Sequence, residues 1–509
     1  MPVARHRAAS RLLAAAVVPV LLFISLAAWA FASPVGASPD DNFHLASIWC
    51  GSGEREGICE PSGDPATRMV PAPLLEATCY AFAPSESAAC WTADQPGMGE
   101  ATWMNANGLY PPLFYWTMSL FVGPDVQVSV LLMRLANALL AVGLLSATFF
   151  ALPRRLRPAL VISAVVAAVP LGQFVIASTN PSSWAYIAAS MIWITLYATT
   201  LTTGKRRAVL AGLAVVATVI GAGARADASV FALFAIFLAL LLGLRRGSFN
   251  RWTIVTAGVI ACIAITFYLS SGQSGSLSSG LPSDAPALTR AQQLANLFGV
   301  PILWFGAFGA SGLGWLDTVM PAAVSVLGLS AAAGAIFIGI RRPSWQRGVA
   351  VLLAFAALWA VPFVMLSQSH AVVGEIVQSR YILPLIIILL GVATAGVDAV
   401  RDWSGTRSAV IALILAFTTA LSLHDNIRRY TFGADANAID PGANAEWWWR
   451  DVPSPGTVWI VGSVAFAAAL GLLWWRLSVV EARTTARSDG SGQPSTIDPV
   501  PEAIAKSAP

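Results

Sequence analysis

Long apolar runs recur along the chain, and the polar breaks between them collect arginines at every second interval. The first run, 12–32, holds 21 residues and as a helix reaches ~32 Å, enough to cross the hydrocarbon core of a bilayer. Further runs read as spans at 126–151, 159–177, 183–203, 208–224, 228–244, 252–270, 318–340, 348–367, 381–399, 408–423 and 457–475. The pattern predicts about twelve spans, between eleven and thirteen. The apolar but glycine-rich stretch 296–312 reads as a half-buried or re-entrant helix, with a thirteenth span as the alternative.

The arginines assign sides. Arg5, Arg7 and Arg11 precede the first run. Arg154, Arg155 and Arg157, then Lys205-Arg206-Arg207, then Arg245, Arg246 and Arg251 fall in alternate breaks. So do Arg341, Arg342 and Arg347, then Arg401 and Arg407, and finally Arg476, Arg483 and Arg487. Basic breaks face the cytoplasm. Residues 1–11 and the tail 476–509 are therefore expected inside, and the long loop 34–125 outside. Between them lie a first helix, 12–33, and a multi-span domain, 126–475. Ala30-Phe31-Ala32 fits a signal cleavage site, but the apolar run exceeds the core of a signal peptide. The Ser-, Pro- and Gly-rich end beyond Arg487 reads as disordered.

Composition closes off other classes. Of 509 residues, 56% are hydrophobic and 11% charged, with mean hydropathy +0.68. A soluble chain carries roughly 25% charged residues. A soluble enzyme, a nucleic-acid binder, a disordered protein and a small disulfide-rich secreted domain are excluded as the main identity. The net charge of +4 follows from topology clusters rather than from a nucleic-acid-binding face. The fold class is all-α: a polytopic transmembrane bundle with a large first extracytoplasmic loop.

That loop holds Cys50, Cys59, Cys79 and Cys90, four of the five cysteines. In an exported segment they imply two disulfides, with three pairings open and Cys50–Cys59 with Cys79–Cys90 the local one. No CxxC pair supports zinc. The loop has little apolar periodicity of its own. Further on, Glu446-Trp447-Trp448-Trp449-Arg450 reads as an interfacial aromatic belt, with a sugar-stacking platform as the alternative.

Four clusters carry candidate chemistry. In Ser38-Pro39-Asp40-Asp41-Asn42-Phe43-His44, Pro39 stops one helix and an acid can open the next. Asp41 and His44, at i and i+3, then share a face. A carboxylate here can take a proton from a hydroxyl or hold a divalent cation, with Asp40 the metal candidate; the plainer reading is a helix cap. Tyr110-Pro111-Pro112-Leu113 can aim the chain into the next span. Ser178-Thr179-Asn180-Pro181-Ser182-Ser183 offers hydroxyl and amide groups, or simply caps a helix. In Gln378-Ser379-Arg380-Tyr381-Ile382-Leu383-Pro384, Arg380 stands at a span border, where a guanidinium can clamp phosphate. Arg134, inside a span, needs a partner, and Arg225 and Asp227 can pair with each other.

The order of these motifs resembles the large-loop membrane glycosyltransferases of the GT-C fold. Protein O-mannosyltransferases carry Asp-Glu-x-His-Phe and a later His-Pro-Pro-Leu; here stand Asp40-Asp41-Asn42-Phe43-His44 and Tyr110-Pro111-Pro112-Leu113. With Asn180-Pro181 and Ser379-Arg380-Tyr381 followed by Pro384-Leu385, residues 12–425 are similar to the DUF2142 family of predicted bacterial membrane proteins. Two departures stand out. The second acid is Asp41 rather than Glu, and His44 lies one residue further along, which detaches it from the pattern's histidine role.

The resemblance implies a GT-C bundle in the bacterial cytoplasmic membrane, both termini cytoplasmic. It would move a sugar from a polyprenyl-phosphate donor to an extracytoplasmic glycan or protein acceptor. Asp41 is the expected base, with Asp40 its runner-up and His44 orienting a carboxylate or the acceptor. Arg380 is the expected phosphate ligand, with Tyr110, Arg134 and Asn180 around the substrate. A divalent cation can assist but is not demanded. The alternatives are a transporter or flippase for a lipid-linked saccharide, and a non-catalytic envelope scaffold.

Overall fold

The computed structural model describes residues 2–489 apart from 245–249, 276–279, 282, 342, 397–398, 404 and 437–438; the side chains of 2–15, 400 and 477–489 are also outside the description. The side chains of Arg5, Arg7, Arg11, Arg483 and Arg487, the residues Arg245, Arg246 and Arg342, and the tail beyond 489 therefore lie outside the described residues.

The apolar runs fall on helices, with the run 159–177 on a broken one and the run 381–399 extending past its helix. The first is Pro2–Phe31 and the last Pro455–Asp489, which continues past the end of its apolar run. By length and composition, seven among the described residues can cross a membrane: Val126–Ala151, Gly204–Ala224, Arg251–Leu269, Ala322–Gly339, Trp345–Gln368, Thr406–Phe432 and Pro455–Arg476. An eighth is a broken pair, Arg154–Val166 and Ala168–Ile176, bent by 76°. The break has a local cause: Pro170 has no N–H to give, and Val169 takes extended angles (φ −97°, ψ 122°). Ala16–Phe31, Ala226–Leu242 and Ser379–Thr394 are apolar but shorter.

Ser182–Thr200 is buried along most of its length and packs against Gly204–Ala224, Ala226–Leu242 and Ser379–Thr394. The ambiguous stretch 296–312 resolves into two short helices, Arg290–Gly299 and Pro301–Ala307, followed by a turn closed by the Leu313–Thr318 bridge. Gly306 allows that second helix to touch the site: a Cβ there would collide with the hydroxyls of Ser311 and Ser379.

The long loop is more ordered than its sequence suggests. It contains a small antiparallel sheet, β1 (Glu60–Pro61), β2 (Arg68–Pro71) and β3 (Met98–Ala101), with Met69 opposite both Glu60 and Glu100. This sheet departs from an all-helical reading. Both local disulfides are present, Cys50–Cys59 and Cys79–Cys90. Arg429 ties the loop down. Its guanidinium is 1% exposed, donates to the carbonyls of Tyr80, Ala83 and Glu86, and pairs with Asp317 at 2.9 Å. Tyr80 Oη in turn donates to Val35 O at 2.6 Å.

The Trp run is neither belt nor platform. Trp448 and Trp449 are buried, and Trp449 Nε1 donates to Phe31 O at 2.7 Å, closing the end of the first helix. Their indoles fill the space between that helix end and Tyr430 and Trp91.

Candidate active site

The first helix ends in a turn that every neighbour grips. Asp40 takes left-handed angles (φ 62°, ψ 19°), which an Asp tolerates better than most residues, and the helix Asp41–Trp49 starts directly after it. Such a conformation persists where surrounding bonds over-determine it. Here Pro39 O accepts from both Asn180 Nδ2 (2.8 Å) and Arg380 Nη1 (3.1 Å). Asp41 Oδ2 accepts from Ser38 N at 3.1 Å, and its Oδ1 accepts from Thr179 Oγ1 at 2.9 Å. The Asp-Asp turn, the Thr-Asn-Pro turn and the Ser-Arg-Tyr helix start thus meet at one point.

The two carboxylates differ sharply. Asp41 is fully buried with both oxygens bonded. Asp40 keeps about a quarter of its side chain open (27%) and pairs with Arg380 Nη2, whose own side chain is buried. Burial would raise the Asp40 carboxyl, but Arg380, with Arg225 behind it, overrides this and holds it below the ordinary carboxylate value. Asp41 goes the other way: burial pushes it up to about 6, against the opposing pull of Arg134 and Thr179. Asp40 is the ionised, reachable acid.

Aromatic rings and a second arginine complete the site. The Arg380 guanidinium lies 5.1 Å from the Tyr381 ring, and Arg225 lies 5.4 Å from that ring. Arg225 also sits 5.8 Å from Tyr110. Its fork is held by Asp227 (2.9 and 2.7 Å), and Nη1 reaches Ser182 Oγ at 3.3 Å. The Asn105 side chain clamps the Tyr110 backbone at both N–H and carbonyl. On the other side of Arg380 a small cleft is lined by Pro39, Leu171, Gly312, Leu316 and Gln378. The kinked pair supplies Leu171, and the turn after Pro301–Ala307 supplies Gly312 and Leu316.

Several expected roles are corrected. Asp41 does not present a free oxygen, so it is a poor base and a good brace. His44 shares the helix with Asp41 as expected, but its Nδ1 bonds Tyr115 Oη at 2.9 Å rather than either carboxylate. Burial holds its imidazole down at about 3, hence neutral, among Phe43, Tyr110 and Tyr115. Arg134 is not a substrate ligand: it is fully buried and donates to the carbonyls of Ala30 (3.1 Å), Ser33 and Pro34 (2.6 Å). It satisfies one orphan carbonyl of the first helix, Ala30, and two carbonyls of the turn that follows. Asn180 spends its amide on Pro39 and its Oδ1 on Ser182 N (3.0 Å), so it too is structural. Tyr-Pro-Pro opens a short helix, Leu113–Ser119, not the next span. Arg380 and Tyr110 do face the site. Arg225 was legible only as half of an ion pair, and nothing in its spacing announced the two tyrosines it would meet.

A divalent cation requires several oxygen ligands. Asp40 offers one carboxylate, already paired with a guanidinium, and Asp41 is turned away to Thr179 and Ser38. No three His, Cys, Asp or Glu converge among the described residues. This donor set does not fit a cation.

The sequence profile described as "Predicted membrane protein (DUF2142)" matches residues 6–389. The chain belongs to this family. Its matched region takes in the Asp-Asp turn, Tyr110, the Thr-Asn-Pro turn, Arg225 and Arg380, so the whole site lies inside the DUF2142 region. No curated protein matches the chain in sequence. Among solved structures, the chain is similar to ArnT from Cupriavidus metallidurans, determined bound to undecaprenyl phosphate. Identity is 13% and the TM-score 0.41, over 96% of this chain and 81% of ArnT.

Proposed function

We propose that this DUF2142 protein is a multi-pass glycosyltransferase of GT-C type, with about twelve spans and both termini cytoplasmic. It would move a sugar from a polyprenyl-phosphate donor to an acceptor outside the cytoplasmic membrane. The observation that carries the reading is the Asp40–Arg380 pair: a partly open carboxylate held ionised by a buried guanidinium. Base and phosphate ligand thus rest against each other before substrate arrives. Donor phosphate would compete for Arg380, with Arg225 behind Tyr381 adding positive potential. The released Asp40 carboxylate would take the proton of the acceptor hydroxyl. The acceptor oxygen would then bond to the anomeric carbon as the bond from that carbon to the phosphate oxygen breaks, and polyprenyl phosphate would leave with the electron pair.

A transporter would place charged groups along a path through the bundle. Of the buried charges among the described residues, Asp41, Arg134, Arg225 and Arg380 gather near the turn at the end of the first helix, while Arg347, Asp425 and Arg429 are held by contacts of their own. The test is release of polyprenyl phosphate from a panel of polyprenyl-phosphate sugars by purified protein in liposomes. Release by wild type that vanishes in Asp40→Asn supports the reading. Release unchanged in Asp40→Asn removes it.

A further inference from the structure

A second cavity lies away from Asp40. It is a groove of about 490 Å³ along one face of Thr406–Phe432, closed on its other side by Trp459 of the last helix. Its two ends differ in chemistry. Phe417, Ala420 and Leu421 form an apolar wall, with Phe417 about half exposed (53%). One to two turns further on stand His424, Asp425 and Arg428. Phe417 and Arg428 are eleven positions apart, a rise of ~16 Å, close to the ~15 Å of one leaflet's hydrocarbon layer.

The polar rim is built rather than loose. Arg428 Nε bonds Asp425 Oδ1 at 3.1 Å, and Nη1 bonds the carbonyls of Ala434 (3.3 Å) and Ala436. His424 Nε2 bonds Ile439 O at 2.9 Å, and its ring meets Trp459 at 5.0 Å. Asp425 Oδ2 is buried, and both ring nitrogens of His424 are engaged, Nε2 by Ile439 O and Nδ1 by Asp425 Oδ1 at 3.8 Å, so the donor edge left to the groove belongs to the Arg428 guanidinium. Arg428 Nη2 makes no hydrogen bond among the described residues. The groove also faces away from the Asp-Asp turn: Asn426, on the opposite side of the helix, holds Ala32 O (2.8 Å) and Ser33 Oγ (3.2 Å).

We propose that this groove is a resident phospholipid site. One acyl chain lies along Phe417, Leu421 and Trp459, and the phosphate diester sits at Arg428, beside the His424 ring. The bipartite chemistry, the leaflet-length spacing and the Trp at the border are what a phospholipid requires. A donor lipid bound here would have its phosphate on the wrong face of the helix to reach Asp40, so the site is independent of the catalytic reading.

The test is photolabelling of the full chain in phosphatidylcholine nanodiscs. Phosphatidylglycerol and diacylglycerol, each carrying the same acyl-chain diazirine, serve as probes at trace level. Peptides containing Phe417–Leu421 or Trp459 are expected to take the phospholipid label several-fold more than the diacylglycerol label. Arg428→Gln should lower that ratio toward one. Leu421→Trp, which fills the groove without touching the ion pair, should remove the phospholipid label and serves as the second variant if Arg428→Gln does not fold. The lipid-exposed helix Arg251–Leu269 is the internal reference. Equal labelling by the two probes, or phospholipid labelling no stronger than at that reference, overturns the proposal. Preferential labelling by a diazirine polyprenyl phosphate would overturn it too, and would assign the groove to the donor lipid.

Discussion

Thr179 Oγ1 donates to Asp41 Oδ1 across 2.9 Å and 138 residues of chain, joining the turn after the first helix to the turn before Ser182–Thr200. With Ser38 N on the other oxygen, Asp41 becomes a strut between two helix ends. Thr179→Ala leaves a buried carboxylate oxygen unpaired, which costs about 1–3 kcal/mol. The variant should unfold at lower temperature in detergent, while release of polyprenyl phosphate per folded molecule stays close to wild type. Asp41→Asn keeps an acceptor for Ser38 and a donor for Thr179, so it should fold and retain activity. Loss of activity in folded Asp41→Asn would return the base to Asp41.

The pH profile separates the two acids without mutation. A base works only when deprotonated, so activity falls as pH drops through its pKa. Asp40 is held below the ordinary value of 3.8, whereas Asp41 is pushed up to about 6. With Asp40 as base, the acid limb of kcat/KM lies below the ordinary carboxylate range, and activity is flat from about pH 5 to pH 7. A half-maximal rate near pH 6 would identify Asp41 instead.

The helical, membrane-spanning class was legible because a bilayer imposes one requirement, a long apolar helix, that hydropathy reports directly; of about twelve expected spans, seven, or eight with the bent pair, are long and apolar enough among the described residues. Alternate arginine clusters gave an expectation of sidedness, which the helix positions do not test. The sharing of roles inside the site was not legible, because it depends on distances no local pattern encodes. Asp40 and Asp41 are neighbours with the same side chain; left-handed angles at Asp40 send one carboxylate to Arg380 and the other to Thr179. Arg134 and Arg380 both looked like costly membrane arginines in need of a ligand. Only the end of the first helix, with three carbonyls facing Arg134, explains why one of them is already satisfied. The β1–β3 sheet was hidden for another reason: strands of two to four residues carry too few alternations to register.

Arg134 therefore predicts a stability defect. Arg134→Met removes the donors to Ala30, Ser33 and Pro34 and leaves those carbonyls buried. It also strips Asp41 of its compensating charge. A loss of about 3 kcal/mol or more is expected, by analogy with breaking a buried charge network. Thermal unfolding and the yield of monodisperse protein measure it. A variant as stable as wild type, but unable to bind donor, would restore Arg134 as a substrate ligand.

Arg380 gives the most demanding test, because one side chain is asked to do two things. Its guanidinium bridges Pro39 O and the Asp40 carboxylate, and the proposed mechanism hands the same group to the donor phosphate. An ammonium is a point charge and cannot keep both bonds in that geometry. Arg380→Lys should therefore fold, raise the donor KM and lower kcat, while Asp40→Asn should lower kcat by about 10²–10⁴-fold and, with the competing charge on Arg380 gone, lower the donor KM. Arg380→Gln goes further. It deletes the charge that holds Asp40 down and leaves burial, which raises a carboxyl, as the dominant influence. The acid limb of its residual activity should move to higher pH than in wild type. A residual activity with an unshifted acid limb would show that Asp40 and Arg380 are not coupled in the working enzyme, and the exchange of Arg380 between carboxylate and phosphate would have to be abandoned.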